Sequence, residues 1–154
     1  MQRRWIIGGI VVALFVGAGA WYAARPQAAP PASFHGPVAI VGGTLVRLAI
    51  ADTPAERELG LGGRTALAPD EGMLFVFPQD GRYSFWMKDM HFAIDIVWIA
   101  ADGTVIFVAP SVSPDTYPHA FTPPTAARYV LELPAGFMEA HGVMRGASIT
   151  LSRL

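Results

Sequence analysis

The chain has 154 residues, with 16 Gly, 13 Pro, no Cys and a formal net charge of −1 at pH 7. The lack of cysteine excludes disulfides, thiol catalysis and thiolate metal sites, and the charge gives no basic surface for nucleic acid. This length suits one domain with a short appendage, and the glycines and prolines favour turns and short strands over long helices.

An uncharged segment from Trp5 to Ala24 follows Arg3 and Arg4. About 20 residues of helix span roughly 30 Å, which matches the hydrocarbon core of a membrane. The two arginines are expected to stay in the cytoplasm and to send the remainder of the chain outward. Residues 1–24 are therefore predicted to be a transmembrane signal anchor. Small residues at 18–20 leave a cleaved signal peptide as the alternative.

A proline-rich stretch, residues 25–37, separates this segment from the rest of the chain. Alternating proline and small residues are typical of an extended linker with polyproline character. The linker is expected to hold a domain of residues 38–154 away from the membrane.

The first pattern in that domain is a strand followed by a helix. Residues 44–51 alternate in polarity, as a half-buried strand does. Thr53 and Glu56 have the spacing of a capping box, and Pro54 suits the first helical position. Glycines at 60–63 are expected to end the helix after about two turns.

Further strands are predicted where β-branched and aromatic residues lie between turn signals. They cover residues 73–77, 83–88, 94–99, 104–109, 127–133 and 147–151, with a short helix at 135–141 and a long loop at 110–124. About seven short strands with two short helices predict a mainly β fold, a small closed or nearly closed β-barrel preceded by one transmembrane helix.

Asp95 interrupts the apolar strand from Ile94 to Ile99. Because an unpaired buried charge is costly, this carboxylate needs partners, and Arg128, Lys88 and Arg64 are the expected cations. Asp95 is interpreted either as an internal tie that fixes strand packing or as a carboxylate that lines a pocket beside Lys88 or Arg128.

Four segments, in this order, resemble the domain of unknown function 192 family over about residues 45–151. The resemblance implies a small, mostly β domain, often exported or membrane-anchored in bacteria, with no settled biochemical activity. The segments are Glu-Gly-Met-Leu-Phe-Val-Phe at 71–77, Ser-Phe-Trp-Met-Lys at 84–88, Ile-Asp-Ile at 94–96 with Asp-Gly at 102–103, and Ala-Arg-Tyr-Val-Leu-Glu-Leu at 127–133.

The chain departs from the family pattern at two positions. Where the family usually has Gly-Leu-Met before an Arg, this chain has Gly-Leu-Gly-Gly before Arg64. Where an Asn commonly follows Trp-Met-Lys, this chain has Asp89. A site that used that Met side chain or that neutral amide would be altered here.

A ligand pocket can be built from Trp86, Lys88, Asp95 and Arg128, with Arg64 as a further candidate. Tryptophan offers a flat apolar wall, while lysine and arginine hold anionic groups. Such a pocket would suit a small anionic or polar ligand. The alternative makes Trp86 a core aromatic and Lys88 a surface charge.

No cofactor or metal is expected. Thioether ligands select cuprous copper, but methionine within a strand more often fills a core. The histidines match no known spacing of metal ligands. The weak candidates are Met73, Met87 and Met90 for copper, and His91, Asp115, His119 and His141 for harder ions.

The sequence favours a membrane-tethered, non-catalytic domain that binds a small ligand or an envelope protein. It would be a single-pass protein of the bacterial inner membrane with its domain in the periplasm or outside, or a periplasmic protein if the N-terminal segment is cleaved. One alternative is an envelope hydrolase that uses Asp95 with Lys88 or Arg128. The other is a structural or assembly factor without a small-molecule site.

Overall fold

The computed structural model describes residues 35–154, so the predicted anchor and most of the predicted linker lie outside the described residues. Within that range, no helix has both the length and the apolar character needed to cross a membrane. The elements are β1 (Val38–Val41), β2 (Thr44–Ala51), α1 (Pro54–Leu59), β3 (Glu71–Gly81), β4 (Ile94–Ile99), β5 (Val105–Val112), β6 (Ala127–Pro134), α2 (Phe137–Ala140) and β7 (Thr150–Ser152).

The described strands form one seven-stranded sheet in the order β5-β4-β6-β3-β2-β1-β7, curled into a half-barrel. Only β2 and β3 pair in parallel; the other neighbours are antiparallel. The segment before β7 also contacts the start of β5, where the Val105 amide donates to the Ala147 carbonyl at 2.8 Å and the Ile149 amide to the Gly103 carbonyl at 2.9 Å. The prediction of a mainly β fold with two short helices is confirmed.

The strands differ from the prediction most clearly in two places. β1 was not predicted, because its four residues lie between a proline linker and a Gly-Gly turn and show no periodicity. Residues 83–88 were predicted as a strand, but only Phe85 pairs, through an isolated bridge to Phe121. We call residues 82–93 the cover segment, because its apolar side chains pack onto one face of the sheet.

The sheet has an apolar core on each face. One core includes Leu74, Val97 and Leu131 and is covered by Phe137 and Met138 of α2. The other is covered by the cover segment and includes Met73, Phe75, Ile96, Trp98 and Val130. Every residue of β4 is buried, which explains its nearly unbroken apolar sequence.

The predicted capping box of α1 is confirmed. The Thr53 hydroxyl accepts from the Glu56 amide at 3.3 Å, and the Glu56 carboxylate accepts from the Thr53 amide at 3.0 Å. Arg57 then ties the helix to the sheet by donating to the Val76 carbonyl at 2.9 Å. These contacts fix α1 beside the exposed end of β3.

Candidate functional site

Asp95 is fully buried and bound by backbone amides. Its Oδ1 accepts from the amides of Ser111 at 2.7 Å and Gly136 at 2.9 Å, and its Oδ2 accepts from the amide of Met138 at 2.8 Å. Amide donors of this kind satisfy a buried carboxylate without a cation. Asp95 thus joins β4 to β5 and to the start of α2, as the interpretation of an internal tie requires.

The predicted cationic partners of Asp95 are wrong. Arg128 pairs instead with Asp80, with 2.6 Å between Nε and Oδ1. Arg64 lines a shallow depression of about 210 Å³ with Arg47 and other residues near the start of β3. Side-chain alternation explains the error, because Asp95 lies opposite Leu133 on the face covered by α2, where backbone amides are the nearest donors.

A cleft of about 750 Å³ lies on the other face, between α1, the glycine turn after it and the cover segment. We call it the aromatic cleft. Phe77 and Tyr83 stack with ring centroids 3.5 Å apart, and Phe75 meets Phe85 edge to face at 4.7 Å. The aromatic rings that line this cleft are Phe75, Phe77, Tyr83, Phe85 and Trp86.

Glu132 borders this cleft from β6, where it lies opposite Met73 and Ile96. Only 5% of the residue is exposed, and its Oε2 has no hydrogen-bond partner among the described residues. Burial raises the pKa of the Glu132 carboxyl from its ordinary value of 4.5 to about 8. The carboxyl is therefore mostly protonated at pH 7, when it can donate one hydrogen bond and accept others.

Four further charged residues line the aromatic cleft: Arg57 and Glu58 from α1, and Lys88 and Asp89 from the cover segment. The Arg57 guanidinium lies over the Phe77 ring, 5.3 Å from its centroid. With Glu132 ionised, the lining would hold one more acidic than basic group. The two cations and the two carboxylates therefore balance, and the buried Glu132 is the one additional carboxyl of the lining.

Asp89 has a left-handed backbone, with φ of 57°. Its carbonyl accepts from the Gly63 amide at 2.9 Å, which joins the cover segment to the glycine turn. Asn and Asp are the residues other than glycine that tolerate this conformation best. The Asn expected from the resemblance and the Asp found here therefore both suit this backbone conformation, although they differ in charge.

The structure brings together only two of the five predicted ligand residues. Trp86 and Lys88 line the aromatic cleft, whereas Asp95, Arg64 and Arg128 lie elsewhere. Trp86 is 54% exposed, so the alternative that made it a core aromatic is wrong.

Sequence reasoning missed Glu132, although its signal was the same as that of Asp95. Each is a single carboxylate within an apolar strand. The prediction paired one of them with distant cations and passed over the other, because sequence alone does not show which has amide donors nearby.

The methionines proposed for copper lie around the same core. Met73 and Met87 are buried and pack with the aromatic residues beneath the cleft, while Met90 lines it. Within residues 35–154, no group of three or more His, Asp or Glu side chains is arranged to hold a metal ion. The four residues considered for harder ions therefore form no such group.

The solved structures that resemble this chain include two from bacteria. A structure from Sinorhizobium meliloti 1021, described as a "putative transcription regulator", has 32% sequence identity and a TM-score of 0.66, over 77% of this chain and 93% of that one. A protein of unknown function from Novosphingobium aromaticivorans DSM 12444 has 27% identity and a TM-score of 0.69, over 74% of this chain and 83% of that one.

None of the curated proteins compared with the chain matches it significantly. The profile of one family, DUF192, described as "Uncharacterized ACR", matches residues 38–151, from the start of β1 into β7. That match covers the sheet up to the middle of β7, both helices and the aromatic cleft, and the chain therefore belongs to the DUF192 family.

Proposed function

We propose that this domain binds a small organic ligand in the aromatic cleft, with Glu132 as its buried polar contact. The observation that carries the proposal is the unpaired Oε2 of Glu132. A buried polar atom without a partner costs roughly 1–3 kcal/mol, and a ligand that supplied the missing hydrogen bond would recover part of that free energy.

The form of the cleft supports binding of a small molecule. Ligand sites are typically apolar concavities of about 300–1,000 Å³ in which a few polar groups set the orientation. Here aromatic rings would contact the body of the ligand, Glu132 would contact it inside, and Lys88 would contact it at the rim.

The geometry supports binding over hydrolysis. The Ser84 hydroxyl in the cleft is 2.7 Å from the Thr122 hydroxyl, so its hydrogen-bond partner is another hydroxyl and not a general base. The hydrolase alternative requires Asp95 beside Lys88 or Arg128, whereas Asp95 is sealed on the opposite face by three amides.

We also propose that the site works on the outer side of the bacterial inner membrane, as the segment 1–24 predicts. The regulator description of the Sinorhizobium protein is not carried over, because a net charge of −1 does not favour nucleic acid as a partner.

Binding by the full-length chain can be tested with ligand-observed NMR on a set of neutral, acidic and basic aromatic molecules. We expect Trp86→Ala to weaken the binding of these compounds by up to about tenfold, because loss of one aromatic contact costs about 0.5–1.5 kcal/mol. Met144→Ala removes an exposed apolar side chain outside the cleft and should change nothing. If no compound binds, or if both variants bind alike, the proposal is wrong.

A protein partner at the rim of the cleft is the second candidate. Trp86 and Tyr117 are both exposed and meet edge to face with centroids 6.1 Å apart, and the exposed Leu59 also lines the cleft. Exposed aromatic residues of this kind are enriched in interfaces. Crosslinking in intact membranes that depends on Trp86 but not on Glu132 would favour this candidate.

A further inference from the structure

We infer that the ligand of the aromatic cleft is a monovalent organic ammonium with an apolar body. The inference rests on the proposed function and names the chemical class that the site recognises. It depends on three features of the cleft: its rings, its balance of charges and its buried carboxyl.

The rings provide a surface that favours cations. The negative faces of Trp, Tyr and Phe attract ammonium and guanidinium groups within about 6 Å of the ring centroid. One cation already uses this wall, since the Arg57 guanidinium lies 5.3 Å from the centroid of Phe77. Phe75 is buried and Phe77 already stacks on Tyr83 beneath Arg57, so a ligand cation would meet mainly Trp86, which is 54% exposed.

The charges favour a single positive group. Arg57 and Lys88 are offset by Glu58 and Asp89, and Glu132 remains as the additional acid. The protonated Glu132 carboxyl could donate to an anionic ligand, but the cleft holds no unmatched cation among the described residues to balance the charge of that ligand. A neutral ligand could bond to Glu132 but would gain no ion pair, whereas an ammonium would provide both a donor and the balancing charge.

The same geometry links binding to a proton. The charged and titratable groups that line the cleft with Glu132 are Arg57 and Glu58 of α1 and Tyr83, Lys88 and Asp89 of the cover segment, while its neighbours in the sheet, Met73 and Ile96, are uncharged. Because burial raises the pKa of Glu132 to about 8, an arriving ammonium must displace the carboxyl proton at neutral pH. The carboxyl gives up one proton to solvent, and the ammonium keeps its own.

Three probes of matched shape test this inference on the full-length chain: 4-phenylbutylammonium, 4-phenylbutanol and 4-phenylbutyrate. Calorimetry in two buffers of different ionisation enthalpy measures affinity and proton release together. For the ammonium we expect tighter binding than for either other probe and release of about one proton per ligand at pH 6. We also expect about 100-fold weaker binding at pH 6 than at pH 9, since each pH unit below the pKa costs a factor of ten.

Glu132→Gln should remove the preference for the ammonium and the proton release, while Glu139→Gln, a matched change of an exposed carboxylate on α2, should remove neither. If Glu132→Gln does not fold, proton release by the unchanged chain still decides the question.

Equal or tighter binding of the alcohol or the carboxylate in the cleft would overturn the ammonium inference and leave the proposed function standing. Ammonium binding without proton release at pH 6 would also overturn it. If none of the three probes binds, the inference is wrong, and the proposed function then depends on the wider NMR screen.

Discussion

Glu132 makes the stability of the domain depend on pH in an unusual direction. The unfolded carboxyl loses its proton near pH 4.5, whereas the folded one keeps it until about pH 8. The folded state therefore binds more protons between these values, and the free energy of unfolding should fall as pH rises through that range. The expected fall is a few kcal/mol, at about 1.4 kcal/mol per unit of pKa shift.

Urea unfolding of residues 35–154 at pH 5 to 9 measures this dependence. We expect the curve to fall and then level off above pH 8 in the unchanged domain and in Glu139→Gln, and to stay nearly flat in Glu132→Gln. The carboxyls whose pKa values are lowered, those of Glu56, Asp70 and Asp102, act below this range and do not interfere. A fall that persists in Glu132→Gln would show that another group causes it.

At the scale of elements, Asp95 replaces a cap that α2 lacks. The N-cap residue of this four-residue helix is Gly136, which offers no side-chain acceptor, and the Asp95 carboxylate accepts hydrogen bonds from the amides of Gly136 and Met138 instead. It also binds the amide of Ser111, a residue of β5 with φ of 47°. One side chain thus holds an irregular strand and a short helix against β4.

Asp95→Asn should destabilise the domain by about 3 kcal/mol, because an amide nitrogen in place of one oxygen would oppose a buried backbone donor. Urea unfolding at pH 7 measures the change. Asp115→Asn, at an exposed position, should stay within about 0.5 kcal/mol of the unchanged domain. Probe affinity measured below the unfolding transition should be unchanged. If Asp95→Asn lost affinity for the probes but kept its full stability, Asp95 would instead belong to the binding site.

Local patterns predicted those elements whose sequence carries its own signal. The capping box of α1 and the doubly buried β4 depend on neighbouring residues, and both are present. The alternation in residues 83–88 is real, but those residues bridge to Phe121 and not to a neighbouring strand. Pairing across the chain is set by tertiary packing, which a single sequence does not display.

The same limit applied to the candidate site. Trp86 and Lys88 were predicted because tryptophan offers a flat apolar wall and lysine can hold an anionic group, and both line the cleft. Asp95 was assigned to the same pocket, although it lies on the opposite face of the sheet. Which face a carboxylate reaches depends on strand order and register, and neither can be read from composition or spacing.

For the whole molecule, the sheet separates the structural tie from the proposed site. Asp95 stabilises the face covered by α2, and Glu132 lies on the face of the aromatic cleft. A substitution at Glu132 therefore removes none of the hydrogen bonds that hold α2 to Asp95. This separation would let the lining of the cleft vary while the fold is maintained.

The orientation of residues 1–24 would determine on which side of the inner membrane the cleft lies. If residues 1–24 anchor the chain, the full-length protein should stay in the membrane pellet after an alkaline carbonate wash, because an uncharged span of about 20 residues matches the hydrocarbon core. The domain should be digested by protease added outside the inner membrane, since Arg3 and Arg4 favour a cytoplasmic N-terminus. Replacing both arginines with glutamate should reduce that digestion. A shorter, soluble periplasmic form would show cleavage instead, and a protease-resistant domain would place the cleft on the cytoplasmic side, contrary to the proposal.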